Sequence, residues 1–250
     1  MIQTNPTFFL IGMGVIAGFI DSIAGGGGLI TIPSLSLFLS LGPSTIGTNK
    51  IAGTLSALVA LIVYSTQGHM KWKSGWLFTV FIGLGSFLGS SVNPWIPTSF
   101  FKVFLLISCP ILLWILWRKD FWIEQESNHL EWNKNTRGII LSALLCGFYD
   151  GVWGPGGGTF MFLSLFFLAK FPLFTALAIS KLANFTSAGV SLLNFAHRGF
   201  VQWHLGFSLA VGIVIGSLLG SLLATRKASQ IIRPILLIVV CLLLSKVLFT

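Results

Sequence analysis

Apolar residues in this chain gather into ten segments, and some run on for nineteen residues or more, as at 206–224 and 231–249. As helix, nineteen residues reach about 28 Å, close to the roughly 30 Å of hydrocarbon in a bilayer. No single soluble core needs so many runs of that length. The rest of the chain offers little to cover them with water-facing groups: charged residues make up 8%, against about 25% in soluble domains. The chain is read as an integral membrane protein.

The spans are helical. A transmembrane strand alternates apolar and polar positions, whereas these runs are continuously apolar. A helix also satisfies its backbone polar groups within its own segment, as lipid demands. The formal charge of +9 fits basic loops beside a membrane, and no basic stripe interleaved with aromatics points to nucleic acid. Cys109, Cys146 and Cys241 lie in apolar runs without metal-ligand spacing and read as packing residues. The four histidines are not spaced as ligands, so no metal or cofactor is expected. The start, MIQTNPTFFL, lacks the positive region of a cleavable signal. No nucleophile motif, Walker loop or dinucleotide fingerprint is present, so the chain is not read as an enzyme.

The segments lie at 8–24, 29–41, 46–65, 76–93 and 100–117, then at 138–153, 158–169, 173–195, 204–224 and 231–249. The first two of each half are short. Residues 29–41 span only about 20 Å as helix and are expected to be half-helices or interrupted spans. The one clearly polar stretch, 118–137, carries charges of both signs with Trp122 and Trp132. It divides the chain into a first transmembrane repeat, 1–117, a polar linker, 118–137, and a second repeat, 138–250.

The halves repeat. GFIDSIAGGGG (18–28) matches GFYDGVWGPGG (147–157). Two residues of slip later, NKIAGTLSA (49–57) matches SKLANFTSA (180–188), GHMKW (68–72) matches GFVQW (199–203), and GSFLGS (85–90) matches GSLLGS (216–221). The charge pattern favours inversion. If the halves are inverted, Lys71 and Lys73, the linker's four basic residues, the turn at Lys170, and Arg226, Lys227 and Arg233 share one side. Only Lys102, Arg198 and Lys246 face the other. The positive-inside rule then places the linker in the cytoplasm and both termini in the periplasm. The expected fold is an all-α polytopic membrane protein of two inverted repeats. Each repeat holds a glycine-broken first helix pair, made of half-helices, and three spanning helices.

A helix broken within a membrane exposes N–H and C=O groups that protein, water or substrate must satisfy. Broken helices at matching points of inverted repeats mark the midplane site of a secondary transporter. Gly25, Gly26, Gly27 and Gly28 form one break; Gly154, Gly156, Gly157 and Gly158 form the other. The half-helices beginning near Leu29 and Thr159 would turn their positive ends toward an anion. Close helix crossing is the plainer account of a single small-residue motif, but two such breaks at matching sites, each four residues after an aspartate, favour a site. Lys50 and Lys181 sit inside apolar segments, beside Asn49 and near Asn184. A lysine there costs about 2.5–3.5 kcal/mol on insertion scales and is functional by default. Snorkelling explains one such lysine, less readily two at matching positions. Asp21 and Asp150 have three competing roles: pairing with a lysine, capping a broken helix end, or carrying a proton. A carboxylate paired with lysine in the empty state is one that an anionic substrate would displace.

These residues resemble the sulfite exporter TauE/SafE family. The resemblance covers nearly the whole chain and rests on DSIAGGGGLITIP, TNKIAG, the GPGGG run at 154–158, and SKLANFTS followed by RGFVQW. The branch it is most similar to is known only as probable membrane transporters. The resemblance implies a multi-pass protein of the bacterial inner membrane that moves sulfur oxyanions, organosulfonates or related organic anions, in several members by export. The function expected is therefore a secondary transporter of a small anion, working by alternating access, whose partners are that anion and the lipid bilayer. A homo-oligomer is compatible with this. An anion channel of similar build is the alternative. An intramembrane enzyme and a non-transporting assembly subunit are further classes, and no motif supports either.

Overall fold

A computed structural model of the chain describes residues 6–40, 42–97 and 136–249. Every regular element among them is helical: α1 (Pro6–Ala24), α2 (Gly28–Ser36), α3 (Pro43–Thr66), α4 (Trp72–Val92), α5 (Thr136–Val152), α6 (Gly157–Leu163), α7 (Leu173–His197) and α8 (Trp203–Phe249). A short 3-10 turn follows α4, and a π-helical turn, Ser164–Leu168, extends α6. Five stretches are long and apolar enough to cross a membrane, in α1, α3, α4, α7 and the first half of α8. The apolar segment at 100–117, Cys109, and linker residues 118–135 lie outside the described residues.

The breaks fall where the glycines stand. α1 ends at Ala24 and α2 begins at Gly28; α5 ends at Val152 and α6 begins at Gly157. Gly25 and Gly154 hold matching positions and both have positive φ, +77° and +100°, a conformation that costs a side-chain-bearing residue but not glycine. α2 and α6 are the expected half-length helices. α1, at 19 residues, is long enough to cross, so the expectation of two short leading elements fails in the first half; in the second, α5 at 17 residues and α6 at 7 are both short.

α3 and α7 end in the same turn. After α3, the His69 N–H donates to the Tyr64 carbonyl at 3.1 Å; after α7, the Phe200 N–H donates to the Phe195 carbonyl at 3.0 Å. Gly68 and Gly199 supply the left-handed residue, as a Schellman cap requires.

One boundary differs from the sequence reading. A loop was expected at 225–230, between segments at 204–224 and 231–249, but the backbone continues through it as the single helix α8. The polar stretch TRKASQ contains no glycine or proline, and its residues are tolerable helix formers. A drop in hydropathy marks a change of surroundings, which is not the same as a backbone stop.

The two halves intertwine. α1 packs most extensively on α8, and α4 on α5, so the first helix of each half lies against a late helix of the other. α3 and α7 pack on each other at the centre. Glycines let these backbones approach: a Cβ on Gly18 would lie 2.9 Å from the Ile213 Cα, and one on Gly151 would lie 2.9 Å from the Ser86 Cα. The repeated GSFLGS and GSLLGS motifs stand at the two outer crossings, α4 on α5 and α8 on α1, where small residues take the place of the missing hydrophobic drive between helices in lipid.

Candidate functional site

Both breaks meet at the centre of the bundle. A Cβ on Gly25 would lie 2.5 Å from the Gly158 carbonyl carbon, so the two glycine turns touch backbone to backbone. The Thr159 hydroxyl donates to the Ala24 carbonyl at 2.6 Å, joining α6 to the end of α1. This bond satisfies a carbonyl near the end of a broken helix, as burial in a membrane demands. Within the second break, the Tyr149 hydroxyl donates to the Pro155 carbonyl at 2.5 Å.

Each buried lysine reaches into the opposite half. Lys50, on α3, donates to the Asp150 carboxylate at 2.9 Å and also to the Asp150 main-chain carbonyl. This is the only ion pair among the described residues, and both side chains are almost wholly buried. Lys181, on α7, donates to the main-chain carbonyl of Asp21 at 2.5 Å. A buried cation needs such partners, since its desolvation is otherwise uncompensated.

The two aspartates hold matching positions and do unequal work. The Asp21 carboxylate accepts from the Gly27 N–H at 2.9 Å and from the Ser56 hydroxyl at 2.6 Å. It thereby caps the first break. The Asp150 carboxylate accepts from the Ser187 hydroxyl at 2.5 Å as well as from Lys50. Gly27 and Gly157 are small because these carboxylates lie over them: a Cβ on Gly27 would lie 2.6 Å from the Asp21 Cβ, and one on Gly157 would overlap an Asp150 oxygen.

A polar cavity of about 30 Å³ opens between the breaks, space for one water or two. Of the residues expected at a site, it is lined by Asp21, Gly25, Gly28, Asn49, Lys50, Asp150, Gly154, Gly158 and Asn184. Gly26, Gly27, Gly156, Gly157 and Lys181 are not on its wall. Gly27 and Gly157 seat the carboxylates, and Lys181 is turned to the backbone of Asp21. Asn49 and Asn184 face one cavity from non-matching positions: in the alignment of the halves, Asn49 falls on Ser180 and Asn184 on Gly53. The Thr31 hydroxyl bonds the Asn49 side-chain oxygen.

Ser56, Ser187, Gly53 and Ala188 also belong to the site and were not singled out from sequence. Ser56 and Ser187 hold the carboxylates, while Gly53 and Ala188 line the cavity. The signal was present. The two serines stand at matching places in NKIAGTLSA and SKLANFTSA, as a pair of residues with matching jobs would.

The family model described as "Sulfite exporter TauE/SafE" matches residues 10–247. Among similar proteins, the "Probable membrane transporter protein ORF9" of Sinorhizobium is 34% identical over 92% of this chain and 88% of its own length. A "Probable membrane transporter protein" of Haemophilus influenzae is 34% identical over 95% and 92%. The "Probable membrane transporter protein YfcA" of Escherichia coli is 32% identical over 94% and 87%. No solved structure matches the chain.

Proposed function

Because this chain belongs to the sulfite exporter TauE/SafE family, and its relatives carry the name probable membrane transporter protein, we propose that it is a secondary carrier of a small anion. The observation that carries this reading is the polar cavity at the meeting point of two glycine-broken helices, buried in an otherwise apolar bundle. Lys50 supplies charge on the cavity wall, and Asn49 and Asn184 supply amides. Lys181 adds positive potential from behind. Sulfur oxyanions, organosulfonates and related organic anions are the substrate class, and export is the direction.

The carrier works by alternating access. Inverted repeats that intertwine offer two exchangeable packings around a fixed site. Matching polar contacts in the two halves support that architecture: Asp21 with Ser56, Asp150 with Ser187, and the lysines exchanged between halves. The protein sits in a bacterial inner membrane with its linker in the cytoplasm.

The test is thermal stability of the purified protein against sulfite, sulfate, thiosulfate, taurine, sulfoacetate, acetate and chloride. A ligand that binds only the folded state raises the melting temperature, by an amount equivalent to about 2.7 kcal/mol at a hundredfold excess over Kd. We expect one sulfur anion to do so, and Lys50→Ala to abolish the shift. A panel without effect on a folded protein would remove the sulfur-anion reading.

A further inference from the structure

The cluster around the cavity is electrically neutral before an anion enters. It contains two lysines and two aspartates, all buried. Lys50 is the only lysine on the cavity wall, and it is already held by the Asp150 carboxylate. An anion added to this arrangement meets two carboxylates and an occupied lysine. The net negative charge would then lie in an apolar surround, where an uncompensated ion is costly.

No other described cation relieves it. Around Asp150, α3 brings Lys50 and α7 brings Ser187; α1 brings Asp21 to the same cavity, and Lys181, off its wall, is held by the Asp21 carbonyl. α4 contributes Ser86, which donates to the Ser187 carbonyl at 2.6 Å. The described titratable groups of α4 and of the end of α7 are Lys73, His197 and Arg198, which stand at exposed helix ends. α6 carries no titratable group. On α5 itself, Arg137 stands exposed at the far end, the Tyr149 hydroxyl donates to the Pro155 carbonyl, and Cys146 lies one turn earlier and meets Ser164.

We infer that the anion binds together with one proton, taken up by the Asp150 carboxylate, so that anion and proton cross in the same direction. This rests on the anion-site reading above. The proton comes from water on the side the anion enters, adds to an Asp150 oxygen, and leaves with the anion on the far side. It restores neutrality and at the same time releases Lys50 to face the anion. Asp21 is the poorer acceptor on geometry: its oxygens hold the Gly27 N–H and Ser56, and protonation there would loosen the cap on the break without freeing a lysine.

The experiment uses the full chain with isethionate and thiosulfate, neither of which carries a proton between about pH 5.5 and 7.5. Affinity is read from thermal shift, and proton uptake from a pH dye in weak buffer. For the wild type we expect isethionate affinity to rise as pH falls, approaching about tenfold per unit, with about one proton taken up per anion. Thiosulfate should take up no fewer. Asp150→Asn should bind both anions with no pH dependence. Binding without proton uptake by the wild type would overturn the inference, and that arm needs no variant to fold. So would an Asp150→Asn protein that keeps the wild-type pH slope. If no anion of this pair or of the panel above shifts the folded wild type at any pH, the anion-site reading fails, and the coupling falls with it; where another anion of the panel shifts it, the same pH and dye measurements on that anion decide the coupling.

Discussion

Gly53 shows how much at this site turns on a single methyl group. It lies within α3, on the cavity wall, and the nearest atom to an added Cβ is the Ala188 Cβ at 3.6 Å, an ordinary contact. Alanine there suits a helix better than glycine, by about 0.5–1 kcal/mol. Yet a methyl group takes up much of a 30 Å³ cavity. Gly53→Ala should therefore keep or raise the melting temperature while weakening anion binding at least several-fold, measured by thermal shift and by uptake into proteoliposomes. Gly25→Ala is the opposite case. Its φ of +77° and its contact with Gly158 make it a loss of fold rather than of ligand. The lysines and aspartates could be picked out in the sequence because charge in an apolar run is conspicuous. Their partners could not be, because Ser56 and Ser187 are ordinary residues for a membrane helix until a carboxylate is set against them.

The seams between helices α4 and α5, and between α1 and α8, are built from backbone contact. A Cβ on Gly89 would press into the Phe148 carbonyl and lie 2.9 Å from the Val152 N–H nitrogen. Neither group can move without its helix. Gly12, on α1, has nothing within 4 Å of such a Cβ. Overpacking of this kind costs about 1–3 kcal/mol, so Gly89→Ala should lower the melting temperature by several degrees and Gly12→Ala should leave it unchanged. Helix ends were legible where a chemical stop exists. Gly68 and Gly199 close α3 and α7, and the glycine runs end α1 and α5. The expected stop at 225–230 was read from polarity alone, and the helix runs through it.

The molecule as a whole places its two halves inside each other, and that arrangement brings four separate stretches of chain to one polar cavity. The reading of the two halves as inverted carries a prediction of its own. Single cysteines introduced at Gln125 and Ser127, in the linker, should react with an impermeant maleimide only in inside-out vesicles. Cysteines at Gln3 and Thr4, near the amino terminus, should react in intact spheroplasts. Labelling of the linker from outside would reverse the orientation, and labelling of both regions from one side would end the reading of the two halves as inverted.

The sequence by itself determined that this chain is a helical membrane protein, that it repeats, and that its helices break at two glycine runs beside buried charge. Each of these is a local property: hydropathy, periodicity, or the lack of a side chain. Only the tertiary structure decided which lysine meets which aspartate. Lys50 and Asp150 are a hundred positions apart, and no local feature separates the role of Lys50 from that of Lys181, or of Asp150 from that of Asp21. Near-identical motifs suggested equivalent jobs. The packing of α3 and α7 against the opposite breaks gave one lysine a carboxylate and the other a main-chain carbonyl. In a buried cluster that difference sets which charge is free to change, because each ion there is stabilised only by the few groups that touch it.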